Sequence, residues 1–475
     1  MTSVEGLALR CLLPGFVGTS APDWILRMAS AGLGGVVLYG RNVETRDRLA
    51  DLSAALHAER PGLLIAIDEE GGDVTRLEAK EGSSYPGNLA LGAADDRSLT
   101  FDVAASIGYH LAEVGIDLDL APVADVNTNP LNPVIGVRSF GSDPFAVAKH
   151  TSSWITGLQS EGVAACAKHF PGHGDTSVDS HLALPVVNED PHLRALRPFV
   201  AAIASGVQAI MSAHIVVPPI DDVPGTISSR IMTGLLRDEL GFRGLAITDG
   251  LEMRGLSDGR GVAEGAVLAL VAGCDALCIG GGLAGEDVVR EIVRAVEAAL
   301  KAGRLTEHRL EQAAARVDSV AEWRSGQGGK ASVSRQAGLV AARRAVCSDG
   351  PVRIRDEAVV IQFASARSIA AGDVSWGIAA SLAARGVLVT ESGASAAPKS
   401  LVLVVRDLHR QPEQRAAVER LLERRPDAVL VEMGLPAYRP KAAHAYIATY
   451  GSARVCAEVA AEIMRPPAAR GADVG

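Results

Sequence analysis

Val163–Phe170, VAACAKHF, is the stretch from which the fold can be read: a short apolar run ends in a Lys-His pair and opens at once into Pro171-Gly172-His173-Gly174. A run this short and apolar suits a strand buried on both faces, and such strands belong mostly to parallel sheets with helical crossovers. Seven similar runs surround it, at Ala8–Leu13, Gly35–Tyr39, Leu63–Asp68, Ile116–Leu120, Ala209–Ile215, Leu245–Thr248 and Ala276–Ile279. Helical patterns separate them; Val288, Val289, Ile292, Val293, Val296, Ala299 and Leu300 fall on one helical stripe. Eight strand-helix units in about 320 residues predict an α/β chain that opens with a (β/α)8 TIM-type barrel. An open doubly wound sheet is the rival, but the Gly-rich phosphate turn it would carry after an early strand is missing.

The barrel is expected over residues 1–324 and a linker over 325–345, where Ser325–Ser334 reads SGQGGKASVS. A second strand-helix alternation follows, with strands at Ala358–Phe363, Gly386–Thr390, Leu401–Val405, Ala428–Val431 and Tyr446–Thr449. It predicts a smaller α/β sandwich domain over 346–466, with a flexible tail over 467–475.

Bulk composition narrows the function classes. The 475 residues are 48% hydrophobic and 21% charged, enough to bury a full core, and the net charge is −10. With no long Lys/Arg run, neither a nucleic acid nor an anionic membrane surface is expected as a partner. No run approaches the roughly 18 apolar residues of a membrane span. The start, MTSVEGLALRCLLPGF, lacks the pattern of a signal peptide. The six cysteines are spaced neither as a disulfide framework nor as a metal knuckle. A cytoplasmic protein acting on a small molecule is the expectation.

In a TIM-type barrel the reactive side chains gather where strands end. Lys168–His181 holds one Lys, three His and two Asp in 14 residues. Asp68-Glu69-Glu70 closes the third run, with Arg76 shortly after; three adjacent acids repel unless cations or hydroxyls meet them. Asp249 ends the apolar Leu245–Thr248 run, a place that a helix N-cap also favours.

At these residues the chain resembles glycoside hydrolase family 3, in its β-N-acetylglucosaminidase branch. The likeness spans the first domain and is strongest at Lys168–Pro185, KHFPGHGDTSVDSHLALP. IDEEGG at Ile67–Gly72, GVRSFGSDP at Gly136–Pro144, MSAHI at Met211–Ile215 and GFRGLAITDGLEM at Gly241–Met253 support it. The resemblance implies Asp249 as catalytic nucleophile, His181 as general acid/base and Asp179 as its partner carboxylate. It further implies Asp68, Arg138, Lys168 and His169 as binders of the terminal sugar, with Arg76 and His214 in supporting roles. Gly250 departs from the family, which often carries a bulkier or polar residue there.

This set of groups suits a retaining glycosidase. An ionised carboxylate attacks the anomeric carbon, while an imidazole, with an ordinary pKa of about 6.5, donates and later recovers a proton near neutral pH. The expected substrate is a small carbohydrate bearing terminal β-linked N-acetylglucosamine, from muropeptide fragments or chito-oligosaccharides. No cofactor and no metal are expected. A phosphorylase using phosphate as acceptor is the alternative reading. More remote are a metal-dependent hydrolase built on His169, His173, Asp175, Asp179 and His181, a Schiff-base aldolase on Lys168, and a non-catalytic sugar-binding module.

Overall fold

The computed structural model describes residues 3–180, 182–280, 285–326, 336–365, 369–390 and 399–467. Eight parallel strands build the first unit: β1 Leu12–Pro14, β2 Gly35–Leu38, β3 Leu64–Ile67, β4 Leu118–Asp119, β5 Ala164–Phe170, β6 Ala209–Ser212, β7 Leu245–Thr248 and β8 Leu277–Ile279. Strands β2 to β7 pair in chain order, and β1 pairs with β8. A bridge between Ile247 and Ala276 joins β7 to β8. On the other side, the Gly34 amide donates to Leu9 O at 3.0 Å, and a Cβ on Gly34 would lie 1.9 Å from Arg10 O. Backbone touches backbone there, so only glycine fits.

Alternation along the strands explains the unbroken apolar runs. Leu13, Val37, Leu64, Ala66, Leu118, Ala164, Cys166, Met211, Leu245, Ile247 and Cys278 fill the barrel interior. Their neighbours, among them Leu12, Val36, Ile65, Ala165, Ile210, Ala246 and Leu277, face the surrounding helices. Val317 and Val320 of the helix Glu307–Ser325 join the interior cluster. Both faces of every strand are thus dry, as a barrel with an outer helical ring requires.

One expected strand is corrected. Ala8–Leu13 is not a single strand: Val4–Arg10 is a helix, N-capped by Ser3 Oγ, and extended chain begins at Leu12. Ala, Leu and Arg are strong helix formers, and the cap starts the helix just ahead of the apolar run. The span assigned to the linker also contains structure. Its residues 327–335 lie outside the described residues, but Ala337–Ala345 forms a helix. Ala342 and Ala345 on that helix share a core with Ala90 and Ala94 of the barrel and with the second unit.

The second unit is a six-stranded sheet: β9 Cys347–Asp349, β10 Glu357–Gln362, β11 Leu388–Thr390, β12 Ser400–Val405, β13 Val429–Glu432 and β14 Ala445–Ala448. Its spatial order is β9-β14-β13-β12-β10-β11, parallel except for the antiparallel edge strand β9. Five of the six follow the five runs expected; the short, exposed β9 carries no apolar signal. Of the expected tail, residues 468–475 lie outside the described residues.

Candidate active site

A cavity of about 390 Å³ opens at the carboxyl ends of the barrel strands. Tyr39 after β2, Asp68 and Glu70 after β3, Lys168 and His169 at the end of β5, and Asp249 after β7 all line it, with Arg138. All but Arg138, which sits on the turn Gly136–Arg138 between β4 and β5, lie where a dry strand ends, so backbone already fixed by barrel packing holds these polar groups in place.

Four of these groups form one buried network. Lys168 Nζ lies 2.7 Å from Asp68 Oδ1 and 2.7 Å from Glu70 Oε1. Arg138 grips Glu70 bidentately, Nε to Oε2 at 2.9 Å and Nη2 to Oε1 at 2.7 Å, and Nη1 donates to Val134 O. Burial alone would raise the Glu70 carboxyl, but the charges of Arg138 and Lys168 outweigh it and hold the group far below the usual carboxylate range. Lys168 is likewise buried, yet Asp68 and Glu70 keep it firmly charged. Asp68 is the member that stays partly open to the cavity. Arg76 stands 3.7 Å from it through Nη2, and the carbonyls of Ala371 and Ala370 in the second unit hold the Arg76 guanidinium. The middle acid of the triplet does something else. Glu69 turns away to accept the amides of Arg76 and Leu77, and burial raises its carboxyl to about 7.

Hydrogen bonds shape the loop after β5. His169 Nδ1 lies 2.7 Å from Asp125 Oδ2, and Asp125 Oδ1 accepts the His173 amide at 2.6 Å. A carboxylate can only accept, so Nδ1 of His169 carries a proton and the ring's orientation is set. Asp125 is wholly buried; burial pushes its carboxyl up, and the neighbouring His169 reverses this to a net lowering. His173 engages both ring nitrogens, Nδ1 with Thr176 Oγ1 at 2.8 Å and Nε2 with Ser180 Oγ at 3.0 Å. Burial, then the nearby His169, lower its pKa to about 4. His173 is therefore a neutral structural histidine at neutral pH, with no nitrogen left to bind a metal.

Asp249 lies half-buried in the cavity, its Oδ1 accepting the Gly250 amide at 2.8 Å. His214, just past β6, braces the same turn: Nε2 lies 2.9 Å from Gly250 O and Nδ1 2.7 Å from Thr226 Oγ1. A Cβ on Gly250 would come within 3.2 Å of Glu252 Oε1, so the glycine leaves room for Glu252, which also lines the cavity.

The structure brings Asp249, Asp68, Arg138, Lys168, His169 and Arg76 to one cavity and places His214 directly behind it. Asp179 lines a neighbouring cavity instead. His181 lies outside the described residues. Sequence reasoning missed Asp125, although an acid inside the apolar run Ala121–Val126 signals a buried partner. It missed Tyr39, Glu252 and Ser180 as wall residues, and Ile369 and Ala370, which come from the second domain. Among the described residues, no group of three His, Cys, Asp or Glu side chains could hold a metal ion, and no helix is long and apolar enough to cross a membrane.

A TIM-type barrel with a buried network of paired charges and a carboxylate at the carboxyl ends of its strands defines the class. Comparison with known proteins gives the family. Residues 23–320 match the model of the glycosyl hydrolase family 3 N-terminal domain, and the chain belongs to that family. The β-hexosaminidase A of Pseudoalteromonas piscicida is 38% identical over 265 residues, which cover 50% of this chain and 44% of that protein. The chain thus spans under half the length of this curated relative. A solved family 3 β-N-acetylglucosaminidase from Paenibacillus sp. str. FPU-7 is 30% identical, with a TM-score of 0.88 over 98% of this chain and 97% of that one. A β-N-acetylhexosaminidase from Beutenbergia cavernae is 32% identical, with a TM-score of 0.61 over 67% of this chain and 98% of that one.

Proposed function

We propose that the chain is a retaining β-N-acetylglucosaminidase that releases terminal β-linked N-acetylglucosamine from muropeptide fragments or chito-oligosaccharides. The observation that carries this reading is the position of Asp249, in one cavity with the Asp68–Lys168–Glu70–Arg138 network. That network is what a sugar's hydroxyls require: Asp68 accepts, Lys168 donates, and Glu70 and Arg138 hold the lysine in place. The relatives' names supply the sugar class.

In the first step the Asp249 carboxylate attacks the anomeric carbon as the glycosidic C–O bond breaks. His181 gives its proton to the leaving oxygen, with Asp179 as the carboxylate partner of the imidazole. In the second step His181 takes a proton from water, whose oxygen displaces Asp249 and frees the sugar. His169, fixed by Asp125, lines the sugar pocket, and Arg76 and His214 support Asp68 and the Asp249 turn. The work needs no cofactor. Five buried cysteines and one exposed, all unpaired, suit a cytoplasmic setting.

A substrate panel tests the reading. Aryl β-N-acetylglucosaminide, chitobiose and an anhydromuropeptide are assayed with and without inorganic phosphate. Turnover of N-acetylglucosaminides at a rate indifferent to phosphate is expected. Inactivity on all three overturns the proposal, and phosphate-dependent turnover replaces the hydrolase with a phosphorylase.

A further inference from the structure

We propose that Asn132 is a positioning residue for the reaction: from outside the sugar cavity, one side chain sets two of its walls and ties both to the second domain. The inference rests on the function proposed above, in which the loop after β5 carries the acid/base. His173 and Ser180 of that loop form one wall of the cavity that holds Asp249. Val134 and Arg138, from the segment after β4, form another.

Asn132 joins the two. It is buried, and its Nδ2 donates to His173 O at 2.9 Å and to Thr176 Oγ1 at 3.2 Å. Its Oδ1 accepts the amides of Val134 and Ile135, both at 2.9 Å. Backbone amides only donate and a carbonyl only accepts, so the side-chain amide has one possible orientation. Both of its hydrogens and both oxygen lone pairs are used. An aspartate would lack the donors, and a leucine would lack all four bonds. A buried polar network satisfied this fully holds a single geometry. Each wall then passes that geometry to the site by a further bond. His173 Nε2 lies 3.0 Å from Ser180 Oγ, and Arg138 Nη1 donates to Val134 O at 3.2 Å while its other nitrogens grip Glu70.

The second domain holds the same residue from the other side. Arg410 Nη1 donates to Asn132 O at 3.2 Å, and His409 Nε2 donates to Pro130 O at 2.7 Å. Both side chains belong to the turn Leu408–Arg410 after β12, whose start is fixed from within the second domain. There the buried Glu432 accepts the amides of Asp407 at 2.8 Å and Leu408 at 3.1 Å. The receiving segment of the barrel is stiff as well. The Asn132 amide closes a turn on Asn129 O at 3.0 Å, and Pro130 and Pro133 fix φ on either side. Contiguous bonds between stiff parts carry coupling, so the seating of the second domain is felt at Asn132 and through it at both walls.

The test is the split between kcat and KM for 4-nitrophenyl β-N-acetylglucosaminide at neutral pH, with kcat taken per folded molecule and the folded fraction read from thermal unfolding. Asn132→Asp keeps an acceptor for the two amides, so Arg138 stays in place, but sets a carboxylate against His173 O. The predicted result is a kcat lowered about tenfold or more with KM within about twofold of the wild type, because a misplacement of about 1 Å can cost about 10²-fold in rate. Asn132→Ala removes the acceptor too, and its KM is predicted to rise about fivefold. Arg410→Met is predicted to lower kcat in the wild-type background and to add nothing in Asn132→Asp, since both act through one network. A wild-type kcat per folded molecule in Asn132→Asp overturns the positioning role even where Tm falls, because a merely structural asparagine changes only the amount of folded protein. Additive losses from Arg410→Met and Asn132→Asp overturn the link to the second domain. Failure of the wild type on every N-acetylglucosaminide would instead remove the functional reading itself.

Discussion

His173 shows how a titratable residue in a catalytic loop can be structural. Its ordinary pKa of 6.5 is lowered to about 4 in the fold, by burial first and His169 second. Between those values the unfolded chain holds a proton that the folded chain lacks. The His173 contribution to stability therefore rises with pH across that window and is lost as pH falls through it, reaching on the order of 3 kcal/mol at the bottom. Denaturant unfolding from pH 6.5 to 4.5 is predicted to show a steeper loss for the wild type than for His173→Gln; parallel curves would contradict the burial argument. Asp68, Lys168 and Asp249 were legible in the sequence because each interrupts an apolar run at a strand end. The differing jobs of His169 and His173 were not, because partners distant in sequence, Asp125 for one and Ser180 with Thr176 for the other, decide them.

At the scale of elements, the loop after β5 takes its shape from the segment that follows β4. Asn132 Nδ2 donates to His173 O at 2.9 Å, Thr128 Oγ1 to Asp175 Oδ1 at 2.9 Å, and Asn129 Nδ2 to Thr176 O at 3.2 Å. Gly174 makes this contact possible, since a Cβ there would lie 1.9 Å from Val126 O. Gly174→Ala is predicted to cost about 1–3 kcal/mol of stability, as overpacking does, and to lower kcat several-fold by displacing the loop. Gly285→Ala, where a Cβ meets nothing within 4 Å among the described residues, is the control; equal behaviour of the two variants would contradict the account. The barrel strands declared themselves through runs that are dry on both faces. The first run misled because composition, without β-branched residues, and a serine cap turn it into a helix. The hairpin Val216–Val217 with Asp221–Pro224 escaped notice because its arms are short and the second, Asp-Asp-Val-Pro, is only partly apolar.

At the scale of the whole molecule, the two units share a core and a buried ionic joint. Asp73 of the barrel pairs with Arg406 and accepts the amide of Ser452 at 2.7 Å and its hydroxyl at 2.9 Å. Removing one partner of a buried ion pair leaves the other uncompensated, at a cost of about 3–5 kcal/mol. Asp73→Ala is predicted to lower Tm and to loosen the second domain, read as faster proteolysis within it; a wild-type Tm and cleavage rate would contradict this. The second domain carries no loop dense in titratable groups, so its sequence does not point to a part in the site. Its part in the site is carried by the backbone carbonyls of Ala370 and Ala371 and by the side chain of Ile369, which composition cannot reveal.

The central claim is that Asp249 forms a bond to the sugar. Incubation with a 5-fluoro N-acetylglucosaminyl fluoride, which slows release of the glycosyl-enzyme, followed by peptide mass mapping, tests it directly. The adduct is predicted on the peptide containing Asp249 and is absent from Asp249→Ala. An adduct on another residue, or full turnover by Asp249→Ala, would contradict it.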